Sequence, residues 1–143
     1  MSQEYEQLKI ENQLCFPLYA CAKEIVRQYR KPLEELNLTY TQYIVMMVLW
    51  EHRELTVKQI GEYLLLDSGT LTPVLKTLEK KGYVTRERSR EDERIMIAKV
   101  TQKGMELREQ AVKVPGQVGS CIDLTTEEAG QLYSLLYKIL QMM

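Results

Sequence analysis

Residues 55–94 read LTVKQIGEYLLLDSGTLTPVLKTLEKKGYVTRERSREDER, and this stretch decides the fold. Thr56 followed by Gln59 is a capping box, and Leu55 with Ile60 has the spacing of a hydrophobic staple, so a helix starts here. Leu66-Asp67-Ser68-Gly69-Thr70 is rich in residues that cap or break helices. A second helix follows, with Leu71, Val74, Leu75 and Leu78 on one apolar side. Gly82 closes it as a left-handed C′ residue, and Lys80 and Lys81 lie where the helix dipole favours cations. Tyr83 to Ser89 and Ile95 to Val100 are strand-like, joined by Arg90-Glu91-Asp92-Glu93-Arg94, a loop too charged for a core. Helix, turn, helix and a two-stranded wing is an arrangement for reading DNA.

The other face of the second helix carries Gly69, Thr72, Pro73, Lys76 and Lys80, which are small, hydroxylated or cationic, as a surface approaching bases and phosphates should be. Pro73 lacks an N–H and is expected in the first turn. That expectation puts Ser68, Gly69 and Thr70 at a helix N-terminus whose free amides can hold a phosphate. On the wing, Arg86, Arg88 and Arg90 alternate to one strand face. Arg94 follows the loop tip, suited to a narrow minor groove, and Asp92 is placed to orient it through a bidentate pair. Read alone, the charge run is a solvated hairpin. A capped two-helix unit directly before it favours nucleic acid.

The quoted pieces resemble a known family. Leu66-Asp67-Ser68-Gly69-Thr70-Leu71-Thr72-Pro73, the Asp92-Glu93-Arg94 wing and Thr101-Gln102-Lys103-Gly104 look like the MarR family of bacterial winged-helix regulators. Asn12-Gln13-Leu14-Cys15-Phe16 and Leu38-Thr39-Tyr40-Thr41-Gln42-Tyr43 narrow the likeness to its organic-hydroperoxide-sensing repressors. The resemblance implies a mostly α fold with a small β-wing. Its parts are a DNA-binding lobe over about 41–100 and dimerisation helices over about 12–36 and 102–143. It also implies a homodimer on a palindromic double-stranded operator, with an organic hydroperoxide as inducer, no cofactor, no metal and no enzymatic turnover.

The global bounds agree. The 143 residues suffice for one domain with a real core, and 45% hydrophobic with 27% charged residues is a globular composition. No apolar run approaches the ~18 residues of a membrane span. Residues 1–11 are polar and acidic, a loosely held arm without the apolar core of a secretory signal, so a cytoplasmic chain with reduced thiols is expected. The net charge of −1 argues against a nucleic-acid binder, but residues 76–94 hold seven Lys/Arg against five Asp/Glu. The positive balance is local and small, so binding would rest on geometry and dimerisation.

Outside the central unit, Leu14, Leu18, Ala22, Ile25, Val26, Tyr29 and Leu33 mark a long amphipathic helix expected to end near Pro32. Pro17 costs roughly 3 kcal/mol in a helix interior, so it belongs in the first turn or kinks the helix there. Either way Cys15 lies near unpaired N-terminal amides, which favour a thiolate. Tyr40-Thr41 begins a buried helix through Ile44, Met47 and Val48. Thr101 caps a helix through Leu107, Ala111 and Val114, interrupted at Pro115-Gly116. Thr125 and Glu128 repeat the capping box before a last helix of Leu132, Leu135, Leu136, Ile139 and Leu140. The terminal helices carry more apolar surface than a small winged helix uses, so a second copy is expected to cover it.

Cys15 has two readings. It is a small buried hydrophobe, or it is a thiolate that attacks a peroxide and becomes a sulfenic acid. Nine tyrosines against one phenylalanine suggest hydroxyls with partners. The resemblance implies that Tyr29 and Tyr40, from the other subunit, donate to Cys15, with Tyr19 nearby. Cys21 falls on a different face of the same helix. For Cys121 the resemblance implies either an intersubunit disulfide with Cys15 or mere packing, with a low-molecular-weight thiol as the resolving partner. Two rival functions remain at this point. One is release from DNA by a small phenolic or anionic ligand without thiol chemistry. The other is a thiol peroxidase, disfavoured because no Cys-x-x-Cys pair is present and His52 is the sole histidine.

Overall fold

The structure is a computed structural model that describes residues 2–143, with side chains from Tyr5 onward. After two short 3₁₀ segments (Ser2–Leu8 and Ile10–Asn12) the chain runs α1 (Cys15–Glu34), α2 (Tyr40–His52), β1 (Glu54–Thr56), α3 (Val57–Leu64) and α4 (Ser68–Lys80). There follow β2 (Val84–Arg88), β3 (Met96–Val100), α5 (Gln102–Ala111), α6 (Val114–Gly119) and α7 (Thr126–Gln141).

The expected starts form. Thr56 and Gln59 make both capping-box bonds of α3, and Thr125 with Glu128 does the same for α7. A third box at Thr39 and Gln42 opens α2. Leu65 ends α3 in the left-handed region, and Gly82 takes φ +85 beyond α4, so that the Tyr83 amide reaches back to the Leu78 carbonyl. Leu71, Leu75 and Leu78 are fully buried and Val74 partly so.

Several expectations are corrected. The wing is not two strands alone: Leu55 pairs with Ala98, giving an antiparallel sheet ordered β1-β3-β2. Pro73 is the sixth residue of α4, not in its first turn, so the Gly69 carbonyl loses its intrahelical donor. Helix α1 passes Pro32 and ends at Glu34, while Pro17 does fall in the first turn. The helix from Thr101 stops at Ala111, and Pro115 starts α6 rather than breaking α5. In α2 the buried side is Tyr43, Val45, Met46, Leu49 and Trp50, whereas Met47 is exposed and Ile44 and Val48 only half-buried. The arm before α1 is locally tied, since the Asn12 and Gln13 side-chain amides bond to the carbonyls of Glu6, Gln7 and Lys9.

The core gathers α2, α3, α4 and the sheet around Met46, Leu49, Ile60, Leu71, Leu75 and Ala98. Leu33, Leu107, Val114 and Val118 join α1, α5 and α6 to it. The indole of Trp50 donates to the Gly104 carbonyl at 2.8 Å, pinning α2 to α5. By contrast α7 has no buried residue, and Leu132, Leu135, Ile139 and Leu140 lie exposed along it. Leu8, Ile10, Leu14, Phe16 and Leu18 form a second exposed apolar skin over the arm and the start of α1.

Candidate nucleic-acid interface and sensor

Helix α4 and the wing enclose a concave surface of about 750 Å³. Ser68, Thr72 and Lys76 line it from α4, with Arg86, Arg88 and Arg94 from the hairpin. The strand period explains the arginines. Val84, Arg86 and Arg88 share one face of β2, and Val84 is buried, so the same face turns toward α4. On the opposite face Glu87 meets Lys99 at 2.7 Å, and Lys99 also reaches Glu54 at 3.5 Å, tying β2, β3 and β1 together. Thr56 and Lys58 line it too, although the sequence reading gave Thr56 only as a helix cap and did not single out Lys58. Their signal was the α3 cap itself, because a residue just inside that cap lies beside the start of α4 once the two helices turn.

The wing arginines differ in freedom. Arg94 bonds bidentately to Asp92 (Nε to Oδ1 and Nη2 to Oδ2, both 3.1 Å), as expected, and its side chain is 91% exposed. Those bonds hold the Asp92 carboxyl below the usual carboxylate range. Arg88 donates to the Glu93 carbonyl at 2.8 Å, bracing the loop, and Arg90 is exposed on it. Arg86 is not the free outward cation that alternation suggested. It gives Glu79 two guanidinium bonds and its backbone N–H, with its side chain only 17% exposed. It locks β2 to α4.

At the front of α4 the open-amide expectation is corrected at Thr70. Asp67 is the N-cap, and its Oδ1 accepts the Thr70 N–H at 2.7 Å. The Thr70 bond and, to a lesser degree, the Gly69 amide depress its pKa, so a carboxylate stands where a phosphate was expected. Gly69, Thr70 and Pro73 are exposed beside it, and the Thr72 hydroxyl donates to the Ser68 carbonyl.

Cys15 is the first residue of α1 and is exposed, flanked by exposed Leu14, Phe16 and Leu18, with Tyr19 one turn on. Tyr29 and Tyr40 pack at 4.9 Å between ring centroids, and Tyr43 stands 5.7 Å from Tyr29. Burial, then the neighbouring Tyr40, pushes the Tyr29 phenol above its ordinary pKa, and burial does the same for Tyr43. Within one chain they are far from the thiol: fourteen residues of α1 separate Cys15 and Tyr29, about 21 Å of helix. Cys21 and Cys121 are exposed, the latter in the turn after α6. Among the described residues no group of three His, Cys, Asp or Glu is placed to hold a metal, and no helix is long and apolar enough to cross a membrane.

Residues 27–111 match the family described as transcriptional regulator SarA/Rot. The organic hydroperoxide resistance transcriptional regulator of Bacillus subtilis (strain 168) is 48% identical over 141 residues, covering 99% of this chain and 96% of its own. The chain belongs to the MarR/SarA family of winged-helix regulators, in its organic-hydroperoxide branch. Among solved structures, reduced AbfR of Staphylococcus epidermidis bound to DNA superposes with a TM-score of 0.80 at 35% identity, covering 99% of this chain and 98% of that one. The disulfide form of AbfR gives 0.64 at 37% identity, covering 98% and 95%. Overoxidised AbfR bound to DNA gives 0.78 at 37% identity, covering 99% and 98%.

Proposed function

We propose that the chain is a peroxide-responsive transcriptional repressor. As a reduced homodimer it binds a palindromic operator through α4 and the wing, and an organic hydroperoxide releases it by oxidising Cys15. The observation that carries this reading is the 21 Å gap. The thiol lies at one end of α1 and Tyr29, packed on Tyr40 of α2, toward the other, so a second copy crossing α1 about a two-fold axis would bring Tyr29 and Tyr40 of one subunit to Cys15 of the next. The same pairing covers the apolar skin of α1 and of α7, and it sets two recognition helices about 34–36 Å apart, the spacing of successive major-groove turns.

The chemistry balances simply. The thiolate attacks the distal peroxide oxygen, the O–O bond breaks, and the leaving alkoxide takes a proton to depart as an alcohol. Sulfur is oxidised to a sulfenic acid as the peroxide is reduced. A second thiol, Cys121 of the other subunit or a small cellular thiol, then displaces hydroxide from that sulfur to give a disulfide and water. Oxidised sulfur no longer accepts the phenol hydrogen bonds, the subunits rotate, and the helices lose their groove spacing.

A DNA-release titration with cumene hydroperoxide tests the reading. Wild-type protein leaves the duplex, and Cys15→Ser binds as tightly but stays. Release of Cys15→Ser by peroxide would place sensing elsewhere. A non-reducing gel assigns the second thiol, because a covalent dimer that survives Cys121→Ser excludes that cysteine. One feature favours ligand-driven release instead. A cavity of about 600 Å³ beside Tyr40 is lined by Lys23, Arg27 and Arg30, with Glu24 and Glu34 opposing them, and could take a phenolic ligand. That route predicts release without oxidant, equal in wild type and Cys15→Ser.

A further inference from the structure

The end of α4 is tied to the sensor region by one side chain. Lys81, the C-cap residue, donates from Nζ to the Asn37 carbonyl at 2.6 Å and to Gln42 Oε1 at 3.0 Å. Asn37 lies in the corner between α1 and α2, at φ 55, and Gln42 closes the α2 capping box by accepting the Thr39 N–H at 3.1 Å. Tyr40, in van der Waals range of Tyr29, is the first residue of that capped helix. The Lys81 carbonyl in turn accepts Lys103 Nζ at 2.9 Å, and Thr101 donates to the Gly82 carbonyl at 2.6 Å, so α5 is fastened to the same point. Gln42 is 8% exposed, the one buried polar side chain among the described residues. Its amide oxygen therefore serves two masters, the α2 cap and the α4 end.

We propose that Lys81 is the positioning residue that couples the α1–α2 sensor corner to the recognition helix, transmitting a displacement of Tyr29 and Tyr40 to α4. This rests on the redox reading above. Asn37 and Gln42 are the receiving end, and the bonds at Gly82 just beyond hold the end of α4 in register with them. Partial burial lowers the Lys81 pKa. Its place behind α4, facing α2, is wrong for touching a phosphate.

The test is Lys81→Met in the full chain, with a palindromic duplex selected by reduced wild-type protein from a randomised pool and cumene hydroperoxide as oxidant. Three quantities are read: the affinity of reduced protein, the rate of Cys15 thiol loss, and the ratio of oxidised to reduced dissociation constants. Linked sites ordinarily give ratios of about 5–150. The expected result is a ratio falling toward one, with thiol loss unchanged and the reduced affinity within about threefold. The salt dependence should also be unchanged, since a lost phosphate contact would lower its slope by about one. A wild-type ratio in Lys81→Met overturns the coupling alone. A ratio of one in wild type overturns the redox reading and the coupling with it. Should Lys81→Met unfold, Gln42→Glu keeps an acceptor for Thr39 and makes the tether charge-assisted. Its ratio should equal or exceed wild type, and a fall would refute the proposal.

Discussion

Gly61→Ala is a sharp test of the helix-turn-helix geometry, because two effects of opposite sign meet there. In an exposed helix interior the added methyl stabilises by about 1 kcal/mol. At Gly61, however, a Cβ would stand 2.5 Å from the Leu66 carbonyl oxygen and 3.4 Å from Leu71 Cδ1. The obstacle is backbone, and that backbone is held: the Leu66 amide donates to the Gly61 carbonyl at 3.0 Å. Relief requires the α3–α4 turn to open by roughly 1 Å, and such overpacking costs about 1–3 kcal/mol. The backbone clash belongs at the upper end, so the net loss is about 1–2 kcal/mol after the propensity gain. At this chain length each kcal/mol moves the thermal midpoint by about 2–4 °C. Calorimetry should show a drop of about 2–8 °C, with DNA affinity reduced further because Asp67 and Ser68 shift with the turn. An unchanged or raised midpoint would refute the close-approach argument.

Trp50→Phe keeps most of the buried ring but leaves the Gly104 carbonyl without the indole donor, a loss of about 1–3 kcal/mol in urea unfolding. A neutral result would mean that α2 and α5 are not joined through that bond. Asp92 should titrate below the ordinary aspartate range. Because its folded pKa is depressed, the pairing with Arg94 is fully present above the unfolded value and is lost only as pH falls through the folded one. Carboxyl NMR in wild type and Arg94→Ala checks this, and an Asp92 midpoint that does not rise in the variant would show that Arg94 is not its partner.

What could be read from the sequence was local, and what escaped was not. Thr56 with Gln59, Thr125 with Glu128, Gly82 and the Asp92–Arg94 pair each depend on residues within a few positions, and all take the geometry their spacing implied. Strand β1 was hidden because three residues acquire strand character only from β3, more than forty positions later. Helix α2 is apolar nearly all round, so its periodicity had no phase and pointed to Met47 rather than Met46. Arg86 was misread because alternation along a strand says which face a side chain takes, not what waits there. Glu79, on the preceding helix, waited there. The Tyr29–Tyr40–Tyr43 cluster and the Lys81 tether join separate elements, and no spacing rule contains them.

A chain of net charge −1 can still present a cationic face, because the fold decides which charges are already occupied. Glu79 is held by Arg86, and Glu54 and Glu87 by Lys99 on the far side of the sheet. Asp92 is bound by Arg94, whose guanidinium still reaches into solvent. On α3, α4 and the wing, Lys58, Lys76, Lys80, Arg88 and Arg90 form no ion pair among the described residues. Glu79, Glu54, Glu87 and Asp92 thus act as struts, while Glu91, Glu93 and Asp67 form no such pair and temper the cationic face. The resulting field is short-ranged and modest.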